Sequence, residues 1–144
     1  MKNIPRILVI LFCFHFCDQQ VYAQDRDNAY IISVCDSIMK GFADGNYSRA
    51  LQILKRNSLI ENYKIDTLAV TVPQVMSDII PSYGKVVSYK FVLQQESGDV
   101  IKKRYYILML EKYLLKFDFT WYKASKGWAI INFNFDENLT DVLR

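Results

Sequence analysis

The chain has almost no histidine, and its only one, His15, lies near the amino terminus. The rest of the chain therefore carries no imidazole. This absence excludes Ser–His and Cys–His nucleophile pairs, a histidine general base and the ordinary zinc sites. The sequence accordingly predicts no catalytic residue, no metal site and no cofactor.

Cysteine is also scarce, with three residues in the chain. Cys13 and Cys17 fall inside a predicted signal, so Cys35 has no partner for a disulfide within the mature chain. Cys35 lies on the apolar side of a predicted helix. We expect it to be a small buried hydrophobe, and a reactive thiol is the alternative.

Long apolar runs are limited to the amino terminus. A basic start precedes the run Ile7–Phe16, about ten residues long, which has the size of a secretory signal and is too short to span a bilayer. Cleavage after Ala23 would leave residues 24–144 as a single domain, which we expect to be exported to the periplasm or secreted. A lipoprotein interpretation at Cys17 is weaker, because the preceding residue is not small.

The charges of the chain are nearly balanced, with a formal net charge of +3. This balance argues against a nucleic-acid binder, so the basic and aromatic run at 102–106 is interpreted as a solvated strand end. Asp136 and Glu137 are interpreted as a turn, because no loop of spaced oxygen ligands for calcium surrounds them. The glycosylation sequons at Asn46 and Asn138 matter only in a host that glycosylates.

Apolar residues recur with helical spacing in the first half of the mature chain. Pro73 falls inside the third helical pattern and predicts a kink or a late start, and Pro81 and Gly84 are expected to close that helix. The predicted helices are Tyr30–Ala43, Tyr47–Asn57 and Asp66–Ile80.

The apolar period changes to two from Lys85 onward, as in β-strands. The second of the predicted strands is apolar on both sides and is expected to be covered on both. The strands lie at Val87–Gln94, Ile101–Glu111, Leu114–Lys123 and Trp128–Phe135. The sequence thus predicts an α+β domain with two to three N-terminal helices packed on a curved four-stranded antiparallel meander sheet.

The last two strands form an aromatic hairpin, whose predicted turn is the three-residue loop Ser125-Lys126-Gly127. This turn places Ala124 opposite Trp128 and separates two faces. The predicted core face carries Phe117, Phe119, Trp121, Ala129, Ile131, Phe133 and Phe135. The predicted mixed face carries Asp118, Thr120, Tyr122, Trp128, Ile130, Asn132 and Asn134.

The mixed face is the candidate binding surface of this sequence. Trp128, Ile130 and Tyr122 would be costly to leave together in water, and such patches tend to mark contacts. We therefore expect a homodimer through this sheet face. A solvated sheet with scattered aromatic residues is the alternative.

Three segments resemble small secreted bacterial proteins of the NTF2-like group, which have a cystatin-like cone fold. They are GFADGNYSRAL (41–51), YGKVVSYKF (83–91) and FTWYKASKGWAIINFNFD (119–136). The resemblance implies a fold and not a reaction, because the group ranges from binding modules to enzymes similar to ketosteroid isomerases, polyketide cyclases and dehydratases. Those enzymes place acid–base residues in the mouth of the cone, whereas here the expected core face is apolar and Asp118 lies opposite it.

The leading hypothesis is an exported, non-enzymatic binding or assembly module, with a protein partner or a small apolar ligand still to be identified. The alternative is a small-molecule carrier or a histidine-free isomerase with its site inside the cone, using Tyr89 or Tyr105 with a carboxylate. That alternative needs a real cavity between the helices and the sheet. A third interpretation is a soluble domain whose partner is encoded elsewhere.

Overall fold

A computed structural model describes residues 25–143 of the protein, so the predicted signal at 1–23 lies outside the described residues. The chain divides into two units between Ser33 and Val34. Three helices precede four strands, as the α+β prediction required. The helices are α1 (25–43), α2 (Tyr47–Arg56) and α3 (Asn62–Tyr83), and the strands are β1 (Val86–Ser97), β2 (Ile101–Leu110), β3 (Leu114–Ala124) and β4 (Gly127–Asp136).

Helix α2 begins where its sequence predicts, because Asn46 caps it. The Asn46 side-chain oxygen accepts a hydrogen bond from the backbone N–H of Arg49 at 3.2 Å, which satisfies one of the donors left open at a helix start. The residues on its inner side, Ala50, Leu51 and Leu54, are buried as expected.

Helix α3 is longer than predicted and runs through both of its prolines. Of the two alternatives predicted at Pro73, a kink or a late start, the late start is wrong. Pro81 does not end the helix, whereas Gly84 closes it as expected. A proline inside a helix costs about 3 kcal/mol. Burial of Ile65, Val72 and Met76, at about 1.5–3 kcal/mol for each side chain, outweighs that cost across Pro73. The helix ends at Gly84, whose φ of 87° is a left-handed conformation that glycine adopts without strain.

The four strands form one antiparallel sheet in the order β1-β2-β3-β4, as a meander requires. Within residues 25–143, no helix is long and apolar enough to cross a membrane.

One side of the sheet, called the inner face here, packs against the second half of α1. The ring of Phe42 meets the ring of Phe117 edge-on, with 4.8 Å between centroids, and Phe119 lies edge-on to Tyr106 at 5.8 Å. All four side chains are fully buried. The inner face carries Lys102, Arg104, Tyr106, Leu108, Phe117, Phe119, Trp121, Trp128, Ile130, Phe133 and Phe135.

The register of the last hairpin differs from the prediction in the half next to the turn, from Trp121 to Ile131. The turn is a two-residue loop, Ser125-Lys126, so Ala124 pairs with Gly127 and not with Trp128. A β-bulge follows, because Thr120 pairs with Asn132 while Trp121 pairs with Ile130, which leaves Ile131 as the extra residue. The predicted pairing holds only from Asn132 to Asp136.

The bulge reverses the faces of the residues that precede it in β4. Trp128 and Ile130 turn to the inner face, where they are 7% and 0% exposed, and Ile131 is 41% exposed on the other side. Burying a large apolar side chain contributes about 1.5–3 kcal/mol. An unbroken ladder would bury Ala129 and Ile131 in their place, so the bulge gains the burial of the indole ring.

Substitution of Trp128 by glutamate tests this register. Because the indole is buried, Trp128→Glu should lower the free energy of unfolding by about 4 kcal/mol or more, measured by urea denaturation. The matched control is Val70→Glu, at a position of α3 that is 72% exposed, which should change it by no more than about 0.5 kcal/mol. Equal effects of the two substitutions would contradict the bulged register.

Candidate functional site

The outer face of the sheet, opposite the inner face, keeps five of the seven residues predicted for the mixed face. They are Asp118, Thr120, Tyr122, Asn132 and Asn134, which pair across β3 and β4 as Asp118 with Asn134 and Thr120 with Asn132. Tyr122 is 42% exposed and both asparagines are exposed, but Asp118 is buried. The structure thus brings these five side chains to one face.

Trp128 and Ile130 are the two corrections to that predicted set. The bulge at Ile131 turns both to the inner face, so neither contributes to the outer surface. The ammonium group of Lys102 lies 5.3 Å from the centre of the Trp128 ring, within cation–π range. Ile131, which the sequence placed in the core, takes the exposed position instead.

The charges at the centre of the outer face are paired within the chain. Lys103 Nζ lies 3.3 Å from Asp118 Oδ1. Lys116 is almost completely buried, and its Nζ lies 3.3 Å from Asp136 and 3.2 Å from Asp141 in the C-terminal segment. A buried ammonium group needs such partners to offset its lost hydration. The outer face is therefore close to neutral.

A polar chain that the sequence did not predict runs inside the fold, between α1 and the sheet. The hydroxyl group of Tyr106 donates to Asp36 Oδ1 at 2.9 Å and accepts from Arg104 Nη2 at 3.3 Å. Burial raises the pKa of the Tyr106 hydroxyl, so it stays a neutral donor. The Tyr89 hydroxyl completes the chain by donating to the backbone carbonyl of Asp36 at 3.4 Å.

Arg104 is the charged centre of this chain and is only 7% exposed. Its guanidinium group lies 4.2 Å from the centre of the Phe91 ring and donates to Gln94 Oε1. Among the described residues Arg104 forms no ion pair with a carboxylate. It is linked to the Asp36 carboxylate through two hydrogen bonds of the Tyr106 hydroxyl group. The arrangement combines a buried cation, a buried phenol and a half-buried carboxylate in one row.

The prediction of a solvated strand end at 102–106 is wrong for two of its basic residues. Lys102 and Arg104 are buried on the inner face, and only Lys103 points to the outer face. The alternation of side chains along a strand could have predicted this burial. It places residues 102 and 104 on the same face as Tyr106 and Leu108, opposite the face of Tyr105.

Tyr105, proposed from the sequence as an active-site residue inside the cone, also lies elsewhere. It pairs with Asp118 on the outer face, and its hydroxyl group donates to Gln95 Oε1 at 3.1 Å. The tyrosine inside the fold beside a carboxylate is Tyr106. Asp36 gave no clear sequence signal, because it stands one position beyond the buried stripe of α1.

Cys35 is fully buried, in agreement with the role predicted from the helical pattern. Burial raises the pKa of its thiol to about 12. The thiolate is the reactive form of cysteine, so this side chain is inert near neutral pH.

A surface groove of about 550 Å³ lies between the start of α3 and the edge of β4. Leu59, which lines it, is 62% exposed, and its two charged residues, Glu61 and Lys64, pair with each other at 2.6 Å. The remaining lining residues are Ile60, Leu68, Ile131, Asn132 and Phe133. The groove therefore offers a mixed polar and apolar surface of no net charge next to a strand.

Asp136 and Glu137 belong to a turn, as predicted, since Asp136 Oδ1 accepts from the backbone N–H of Asn138 at 2.8 Å. Within 25–143, no group of three or more histidine, cysteine or acidic residues is placed to hold a metal ion.

No protein-family model matches the chain, and neither a curated protein nor a solved structure was found to be similar to it.

The burial of Cys35 predicts its reactivity. In a chain that starts at Gln24, Ellman's reagent should label Cys35 only after unfolding in urea. Raising the pH from 7 to 9 should not speed labelling of the folded protein, because a thiol whose pKa is raised to about 12 stays protonated at both values. Fast labelling of the folded chain would contradict the burial.

The polar chain predicts a cost for removing one hydroxyl group. Tyr106→Phe leaves both Asp36 and Arg104 without this hydrogen bond, so it should lower the free energy of unfolding by about 1–3 kcal/mol. Tyr122→Phe, on the exposed outer face, is the control and should change it by no more than about 0.5 kcal/mol. Urea denaturation of both variants measures the two losses in free energy of unfolding. Equal losses would contradict the prediction that the polar chain stabilises the fold.

Proposed function

We propose that the mature chain is an exported, non-enzymatic binding and assembly module of NTF2-like fold. The observation that carries this proposal is the aromatic filling of the space between α1 and the sheet. Phe42, Phe117 and Phe119 are fully buried there, with Phe42 and Phe117 in edge contact. A carrier or an enzyme of the cone type needs a cavity in this region. Recognition then falls to the surface of the domain.

Self-association through the outer face is the form of assembly we propose. Leu114, Tyr122 and Ile131 are each about two-fifths exposed, and Tyr122 and Ile131 stand on this face or at its bulge. The charges at its centre are already paired, so a second copy would not bring unpaired like charges together. A twofold dimer requires such a self-complementary patch.

A ligand site inside the cone is the second candidate, and one observation favours it. Asp36 accepts a hydrogen bond from Tyr106 inside the fold, which is the carboxylate–tyrosine pair that an isomerase-like site requires. This pair would replace the one expected with Tyr89 or Tyr105. The site would also need room for a substrate beside two closely packed side chains.

Native mass spectrometry of the mature protein, purified from its own host, separates the two candidates. The assembly proposal expects a dimer mass without added ligand. A reproducible extra mass that leaves on denaturation would favour the site inside the cone. A monomer with no extra mass would oppose both.

The outer-face interface predicts the behaviour of one surface variant. Tyr122→Glu places a charge in the proposed contact and should give a folded monomer at micromolar concentration, measured by light scattering after gel filtration. Val70→Glu, at an exposed position of α3, is the control and should remain a dimer. A dimer that survives Tyr122→Glu would rule out this interface.

A further inference from the structure

The outward edge of β4 is paired over only part of its length. Ile130 donates its N–H to Asn57 at 2.9 Å and accepts from Leu59 at 2.8 Å, which forms an isolated parallel bridge at Ser58. The chain then leaves the sheet to begin α3. Within the described residues, no strand pairs with the outward edge of 132–136.

The register identifies the backbone groups that this edge presents. Lys123 donates its N–H to Val100, on the β2 side, so the even-numbered residues of β3 bond to β4. Thr120 and Asp118 then bond to Asn132 and Asn134. By alternation, the N–H and C=O groups of Phe133 and Phe135 point away from the sheet.

The outward edge of 132–136 carries few of the features that usually protect an edge strand. Lysine, proline and bulges are the common protections against a further strand. The β4 sequence GWAIINFNFD contains no lysine, arginine or proline, and its bulge lies above 132. The other edge of the sheet, β1, carries Lys90 and two register shifts. The lower half of β4 is therefore the more receptive edge.

The groove at the start of α3 lies beside this receptive edge. Asn132 and Phe133 belong to both, so a strand placed along β4 would direct a side chain into the groove. Because Glu61 and Lys64 neutralise each other, the groove favours an uncharged occupant. Backbone groups repeating every second residue are supplied only by another polypeptide strand.

We propose that this edge and groove together bind an extended, uncharged segment of a partner protein, which adds to the sheet beside β4. The segment would exchange hydrogen bonds with Phe133 and Phe135 and insert an apolar side chain next to Leu59. The bridge at Ser58 and Ile130 supports this, because there the same edge already exchanges two backbone hydrogen bonds with another piece of chain. The inference rests on the proposed binding function and names the class of partner.

Amide exchange measured by NMR tests the proposal. The probe is the blocked heptapeptide acetyl-Thr-Val-Thr-Val-Thr-Val-Thr-amide, added to the mature protein. The amides of Phe133 and Phe135 should exchange at least about tenfold more slowly with the peptide bound, whereas those of Asn132 and Asn134 are protected from the start. The same peptide N-methylated at every residue lacks the backbone N–H groups that a strand needs and should give no protection.

Two protein variants locate the binding. Leu59→Asp introduces a charge into the groove and should weaken binding by about tenfold or more. Val70→Asp, an equally exposed change on α3 outside the groove, should leave binding unchanged.

Three results would overturn the proposal. They are the absence of binding, binding without protection of Phe133 and Phe135, and protection that rises with protein concentration when no peptide is present. The last would assign the edge to a second copy of this chain. A dimer that Tyr122→Glu dissociates, together with no peptide binding, would remove this inference and leave the proposed function standing.

Discussion

The β-bulge at Ile131 is the constraint on which much of the rest of this structure depends. It allows Trp128 and Ile130 to face the same side of the sheet as Phe133 and Phe135, although Ile130 and Phe133 lie three positions apart. Below it, Phe133 and Phe135 pack near Phe42. Above it, Trp128 and Ile130 close the same core. A regular ladder could not bury both sets, because side chains alternate strictly with period two.

The same bulge sets the chemistry of the two surfaces. It removes the largest apolar groups from the outer face and leaves a nearly neutral surface whose charges are paired within the chain. The backbone hydrogen bonds of β4 with the segment before α3 stop next to this bulge, and no strand pairs with the outward edge beyond it in the described part of the chain. The extra residue Ile131 therefore lies between two candidate surfaces, the nearly neutral outer face of the sheet and the unpaired edge of 132–136.

Buried charge in this fold is compensated in two different ways. Lys116 is held by two carboxylates, which is the direct solution for a buried ammonium group. Arg104 instead contacts neutral groups and an aromatic ring, and reaches Asp36 through the Tyr106 hydroxyl. Arginine suits this role because its delocalised charge is weakly hydrated and stacks on aromatic rings. The result is a polar chain in an otherwise apolar core.

The sequence by itself determined the order of three helices and four strands, the cap at Asn46 and the buried stripe around Cys35. These features follow from local periodicity and from side chains that bond to their own backbone. Only the tertiary structure decided the extent of α3, the faces of Trp128 and Ile130, and the burial of Arg104. In each of these cases burial against distant residues outweighed a local rule. A bulge of one residue also cannot be located from the sequence, because the alternation of side chains is regular on both sides of it.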